Sequence, residues 1–259
     1  MLINTVILFL RDALPIFVLV SYLYAYLPAN KLWLWLALMA GALLSLIYIT
    51  QFQVISQWFD GKGIELSVWL SQLLLYLLAL VLAYGLGRNW GLNRLTITWV
   101  AGFMVSLTLM SKGSNFIVYF EGFWRQSDVL QSMLLGTFLG LGICLSLSVL
   151  LYLAAQWLQA RFGPWAIWLL IFIFVTGQLV SAIPLLVQVD IIDATSIAWN
   201  TQHLLSNELE FGHLFKVLFG YQASPSYTQV VVYVLALMLP LTIFYWLNRH
   251  SASHSGNSQ

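Results

Sequence analysis

Seven long apolar stretches dominate the chain, near residues 2–28, 32–59, 65–87, 95–122, 128–160, 164–189 and 226–248. A helix crosses a bilayer with roughly 20 apolar residues, so each stretch is long enough to span. Lipid offers no water to satisfy open backbone N–H and C=O groups, which leaves only helices or closed barrels. No period-2 alternation is present, so the pattern predicts helices. The expected fold is an all-α integral membrane protein, a seven-helix bundle forming one domain over 1–248. Several stretches exceed the minimum, which implies tilt or extension beyond the bilayer. The connections are short except for 190–225, and the polar tail 249–259 is expected to be disordered.

Composition supports the same class. Of 259 residues, 61% are hydrophobic and 7% charged, whereas a water-soluble domain carries about 25% charged residues. A net charge of +1 gives no case for nucleic acid as a partner. The single cysteine, Cys144, excludes an internal disulfide and a multi-cysteine metal site. Met1 to Leu10 carries no Lys or Arg ahead of its apolar run, so this segment reads as a first span and not as a removable leader.

Basic residues outside the spans set orientation, and acids contribute little. The odd-numbered connections and C-terminus hold Lys31, Arg88, Arg94, Arg161 and Arg249; the even-numbered ones hold Lys62, Arg125 and Lys216. This balance predicts a periplasmic N-terminus and a cytoplasmic C-terminus. The acids Asp60, Glu65, Glu121, Asp128, Asp190, Asp193, Glu208 and Glu210 then collect on the outer side, which suits capture of a cation.

Three charges remain in apolar surroundings: Arg11 and Asp12 in span 1 and Lys112 in span 4. Each costs roughly 2.5–3.5 kcal/mol near the bilayer centre on insertion scales, so it marks a pathway or a buried pair. A structural bridge from Asp12 to Lys112 or Arg11 is the alternative. Spans 1–3 and 4–6 can be read as two three-helix halves of inverted topology, a plan that puts a transport site at the midplane. Pro15 lies four residues after Arg11 and has no N–H for the Arg11 carbonyl, which predicts a kink and a free acceptor in span 1. Pro184 and Pro240 are expected to act likewise.

With these residues in view, the chain resembles the high-affinity ferric iron permease family (oxidase-dependent iron transporters), including its bacterial EfeU-like members. Arg11-Asp12-Ala13-Leu14-Pro15 is similar to the family's Arg-Glu-Gly-Leu-Glu helix. Phe211-Gly212-His213-Leu214 and Leu218-Phe219-Gly220-Tyr221-Gln222-Ala223-Ser224-Pro225-Ser226 are similar to its segment ending in Phe-Gly-Tyr-Gln-x-x-Pro-Ser. Gly177, Ser181 and Ala182 fit its sixth span. The family's transport motif is Arg-Glu-x-x-Glu, one copy in span 1 and one in span 4. Carboxylates three apart share a helix face and offer hard oxygens to a hard cation. In this chain Asp12 and Pro15 stand for the two glutamates of the first copy. Ser111-Lys112-Gly113-Ser114-Asn115 stands for the second, with Lys112 at the first glutamate position. The acidic pair at the start of span 3 is reduced to Glu65.

The resemblance implies a bacterial inner-membrane iron permease or permease-like subunit, with iron as substrate and no permanently bound cofactor. Its path would run between spans 1 and 4 past Arg11, Asp12, Pro15, Ser111, Lys112 and Asn115. It also implies a periplasmic iron-binding or oxidising partner. Asp12, with Glu65, Glu208, Glu210 and His213, are the candidate metal ligands. Glu210 and His213 are three apart and could share a helix face, but an amphipathic helix lying on the membrane through Leu209, Phe211, Leu214 and Leu218 fits the same residues. Met104, Met110 and Cys144 are soft ligands equally suited to packing. Gly136, Gly140 and Gly142 suggest a close helix contact in span 5. No phosphate-cradling loop, zinc-protease or serine-hydrolase motif is present, so an enzyme is not expected. Two alternatives stay open: a non-transporting subunit that keeps the permease fold, and a permease for another substrate, with Lys112 favouring an anion or a metal chelate.

Overall fold

The computed structural model describes residues 2–27, 32–87, 94–123, 127–205 and 210–255, with side chains outside the description at 2, 84–87, 94, 123, 127–130, 210–211 and 243–255. These residues form α1 (Leu2–Tyr26), α2 (Leu32–Thr50), α3 (Phe52–Ser56), α4 (Gly63–Gly87) and α5 (Arg94–Phe123). They continue with α6 (Ser127–Phe162), α7 (Pro164–Ser181), α8 (Ile183–Gln188), α9 (Glu210–Phe219) and α10 (Tyr227–Ser255). Among the described residues the only β-type pairing is an isolated bridge between Ile197 and Ser226.

Six segments are long and apolar enough to cross a membrane: Ile3–Tyr26, Leu32–Thr50, Gly63–Ala83, Leu95–Gly122, Gln131–Phe162 and Pro164–Gln188. In α10 the described apolar stretch is the shorter Tyr227–Thr242. Large apolar side chains cover the outside of the bundle, with Met39 71% and Phe138 77% exposed. Water would penalise such a surface and lipid would not. The chain is an all-α, multi-pass membrane protein.

Local chemistry explains where the helices depart from the apolar stretches. The second stretch stops being one helix at Thr50: Gln51 separates α2 from α3, and Phe59, Asp60 and Gly61 then turn the chain with φ of 54, 59 and 89°. The sixth breaks at Ala182, where Pro184 sits in the first turn of α8 and cannot donate back to the preceding turn. Pro15 and Pro240 lie inside continuous helices.

The two most extensive helix pairs are α1 with α6 and α2 with α5, while α1, α4, α5 and α7 pack on one another at the centre. Glycine brings both outer pairs together. A Cβ on Gly140 would stand 2.8 Å from the Phe9 Cβ, and one on Gly41 would stand 2.9 Å from the Leu109 Cβ. Gly136 and Gly140 are both buried and four residues apart, whereas Gly142 is exposed with nothing within 4 Å and stands off that close face. Tyr76 ties α4 to α10 by donating its buried hydroxyl to the Ala236 carbonyl at 2.7 Å. Tyr76→Phe should therefore cost about 1 kcal/mol, read as a lower unfolding midpoint in detergent.

The connection after α8 positions the site. Its apolar face packs on protein, for α9 folds back against α1 and α7. Val217 is buried, and Leu214 and Leu218 pack against the core. At its end Gly220, with φ +71°, meets Gly177 near the middle of the Pro164–Gln188 span; a Cβ on Gly177 would lie 2.6 Å from the Gly220 Cα. Only glycine permits backbones so close, and only glycine adopts that φ without strain. Tyr233 donates to the Phe219 carbonyl at 2.7 Å and fixes the same turn from α10.

Candidate functional site

The core helices carry a layer of polar side chains where a membrane protein of this kind has mostly hydrocarbon. Asp12 of α1 is 4% exposed, and Gln72 of α4, Thr108, Ser111 and Ser114 of α5, and Thr176 and Gln178 of α7 are also buried. Gln72 donates to the Ser111 hydroxyl at 3.4 Å. Ser114 and Thr108 return their hydroxyls to the carbonyls of Ser111 and Met104 in their own helix. The Gln72 Oε1 and the Thr176 hydroxyl are buried without a protein partner. Intramembrane polar groups of this sort are expensive and face bundle interiors or polar cavities.

The charged members gather beside this layer. Arg11 Nη2 donates to Asp12 Oδ2 at 3.2 Å, with the Arg11 side chain 55% exposed and that of Asp12 5%. The buried pair expected for Asp12 is therefore with Arg11; Lys112 lies within electrostatic reach of both but bonds neither. The re-entry of α9 adds Lys216 and His213. Lys112 feels Lys216, and His213 feels Lys216, Arg11, Asp12 and Lys112. Arg11, Lys112 and Lys216 thus lie within electrostatic reach of one another, and Asp12 stands beside Arg11 and within reach of Lys112.

Burial pushes the Lys216 ammonium below its ordinary range, and the nearby Arg11 charge adds to the effect. His213 is pushed down to about 4, first by burial and then by Lys216 and Arg11, with Asp12 opposing and Lys112 adding. It is therefore neutral near pH 7, and its Nε2 is buried without a partner. The sign for stability follows: between pH 6.5 and 4 the unfolded chain takes up a proton at His213 that the folded chain does not, so stability falls as pH falls through that window. The acid-induced loss of thermal midpoint over pH 6.5–4 should be smaller in His213→Gln than in the native chain.

Among the residues singled out in the sequence, Arg11, Asp12, Lys112 and His213 come together. Ser111 joins them through the polar layer. Asn115 is exposed, one turn further along α5, and Pro15 sits one turn beyond Arg11. Glu65 stays in the first turn of α4, Glu208 lies outside the described residues, and Glu210 is described by its backbone alone. Among the described residues no group of three or more His, Cys, Asp and Glu is placed to hold a metal ion. Met104 and Cys144 are buried in the apolar core as packing side chains, and Met110 packs against it.

Lys216, Gln72 and Thr176 are functional candidates that sequence reasoning missed. Lys216 counted as a loop residue there, and the only signal for its re-entry was the glycine at Gly220 matched to Gly177. Comparison with protein-family models, with characterised proteins and with solved structures finds no match to this chain.

Proposed function

We propose that the chain is an iron permease or permease-like subunit of a bacterial inner membrane, with its path between α1 and α5. The observation that carries this reading is the polar and charged layer at mid-height of the central helices, reached by α9 from one side. Such a layer is costly in lipid and has a use in moving a polar solute.

The packing supports a seven-span architecture in which α1, α2 and α4 repeat as α5, α6 and α7 with inverted topology, α10 being the additional span. Exchange of the halves carries the α1–α6 pair onto α5–α2. Phe9 stands two residues before Arg11 and Leu109 two before Ser111, and each fits against a glycine of the partner pair, Gly140 or Gly41. With the N-terminus periplasmic, α9 and the 190–225 connection lie on the outer side, where a periplasmic iron-handling protein would dock.

Radio-iron uptake into vesicles tests the reading. Saturable uptake by the native chain that is lost on Gly177→Val but retained in Gly142→Val supports a path dependent on α9. No uptake by folded protein refutes it. The Arg11–Asp12 pair at 3.2 Å favours a second reading, a non-transporting subunit in which this pair is a fixed bridge. In that case no iron uptake occurs, and Asp12→Asn lowers only thermal stability.

A further inference from the structure

The charge balance of the cluster is opposite to what a bare metal cation needs. Asp12 already accepts from Arg11, and among the described residues neither Lys112 nor Lys216 has a hydrogen-bond or ion-pair partner. Both are partly buried. Both α5 and α9 pack on α1, and like charges gathered around one helix repel one another unless a negative group joins them. A second, independent observation points the same way: the Nε2 of His213 is buried, unpartnered and on the same side of α9 as Lys216, one turn away. In its Nε2–H tautomer it is a donor waiting for an acceptor.

We propose that Arg11, Lys112, Lys216 and His213 form an anion site that takes carboxylate or phosphate oxygens. The ligand is either a free oxyanion or the oxyanion shell of a chelated metal. Its role in transport rests on the permease reading, but the binding stands apart from it. Arg11 offers a planar fork that matches two oxygens of one group, and the two lysines supply point charges from α5 and α9. Asp12 orients Arg11 and limits affinity, so that the ligand can leave. The site closes only when α9 is docked, because α9 supplies two of its four groups.

Binding of citrate, ferric citrate and inorganic phosphate to the full chain in nanodiscs of zwitterionic lipid tests the proposal, with unfolding midpoints confirming that each variant is folded. The native chain should bind at least one of these probes saturably. Lys112→Gln and Lys216→Gln should each weaken binding at least tenfold, Lys216→Arg should stay within about threefold of native, and Asp12→Asn should bind more tightly. Ferric citrate bound without free citrate assigns the site to metal-borne oxyanions, and citrate or phosphate bound alone assigns it to free ones. Absence of binding to all three, native-like binding by both glutamine variants, or weaker binding by Asp12→Asn overturns the proposal. Anion binding without iron uptake sinks the permease reading alone; iron uptake without anion binding sinks the anion site alone.

Discussion

Gly177→Val should detach α9 from the bundle and abolish whatever the charged cluster does, while the spanning helices remain. A side chain at Gly177 would put its Cβ 2.6 Å from the Gly220 Cα and 2.7 Å from the Gly220 nitrogen. Both obstacles are backbone, which has no rotamer to swing aside. Overpacking a fitted core costs about 1–3 kcal/mol and more where nothing relaxes. Here the release available is withdrawal of α9, which undocks Leu214, Val217 and Leu218 from the core. Hydrogen exchange over 210–222 should then rise by at least tenfold, with exchange in α1, α5 and α7 little changed. Gly142→Val is the matched control, since nothing lies within 4 Å of Gly142, and it should leave the same peptides protected. Native exchange over α9 in Gly177→Val would mean that Tyr233 and the 195–205 segment, and not the glycine contact, hold the re-entry in place.

The helices were legible in the sequence because their cause is local. A run of apolar residues without charge has one way to satisfy its backbone in lipid, so Ile3–Tyr26 and Leu95–Gly122 lie where hydropathy puts them. Arg11, Asp12 and Lys112 were legible for the same reason, being charges where charge is expensive. The path of α9 was not, because it depends on a contact between residues 43 positions apart that no periodicity encodes. An apolar face on a short helix says that it will be buried, but not whether in headgroups or in protein. Gln72 and Thr176 escaped notice because one polar side chain in an apolar helix is common. Only the hydrogen bond from Gln72 to Ser111, and the burial of the Thr176 hydroxyl without a partner, give them meaning.

Lys112→Glu should reverse the sign of what the cluster accepts. As a general scale, two unit charges about 8 Å apart at an effective dielectric near 20 interact by about 2 kcal/mol. Exchanging a positive for a negative charge changes that interaction by twice as much, before solvent screening at this partly buried position reduces it. A loss of at least tenfold in citrate or phosphate binding is the conservative expectation. The new carboxylate would face Asp12 across α1 and α5 and be balanced by Arg11 and Lys216, so the substitution does not leave two acids alone in the bundle. It also places an oxygen ligand where the resembling permeases carry the first glutamate of their second motif. Gain of uncomplexed ferric or divalent-metal binding in Lys112→Glu, absent in Lys112→Gln, would mean that this one residue sets the charge class of the solute. Loss of anion binding with no gain of metal binding would mean that the missing glutamates at Pro15 and Asn115 are also required. The unfolding midpoint separates both results from a collapsed bundle. It should move little, because the new repulsion from Asp12 is offset by new attraction to Arg11 and Lys216.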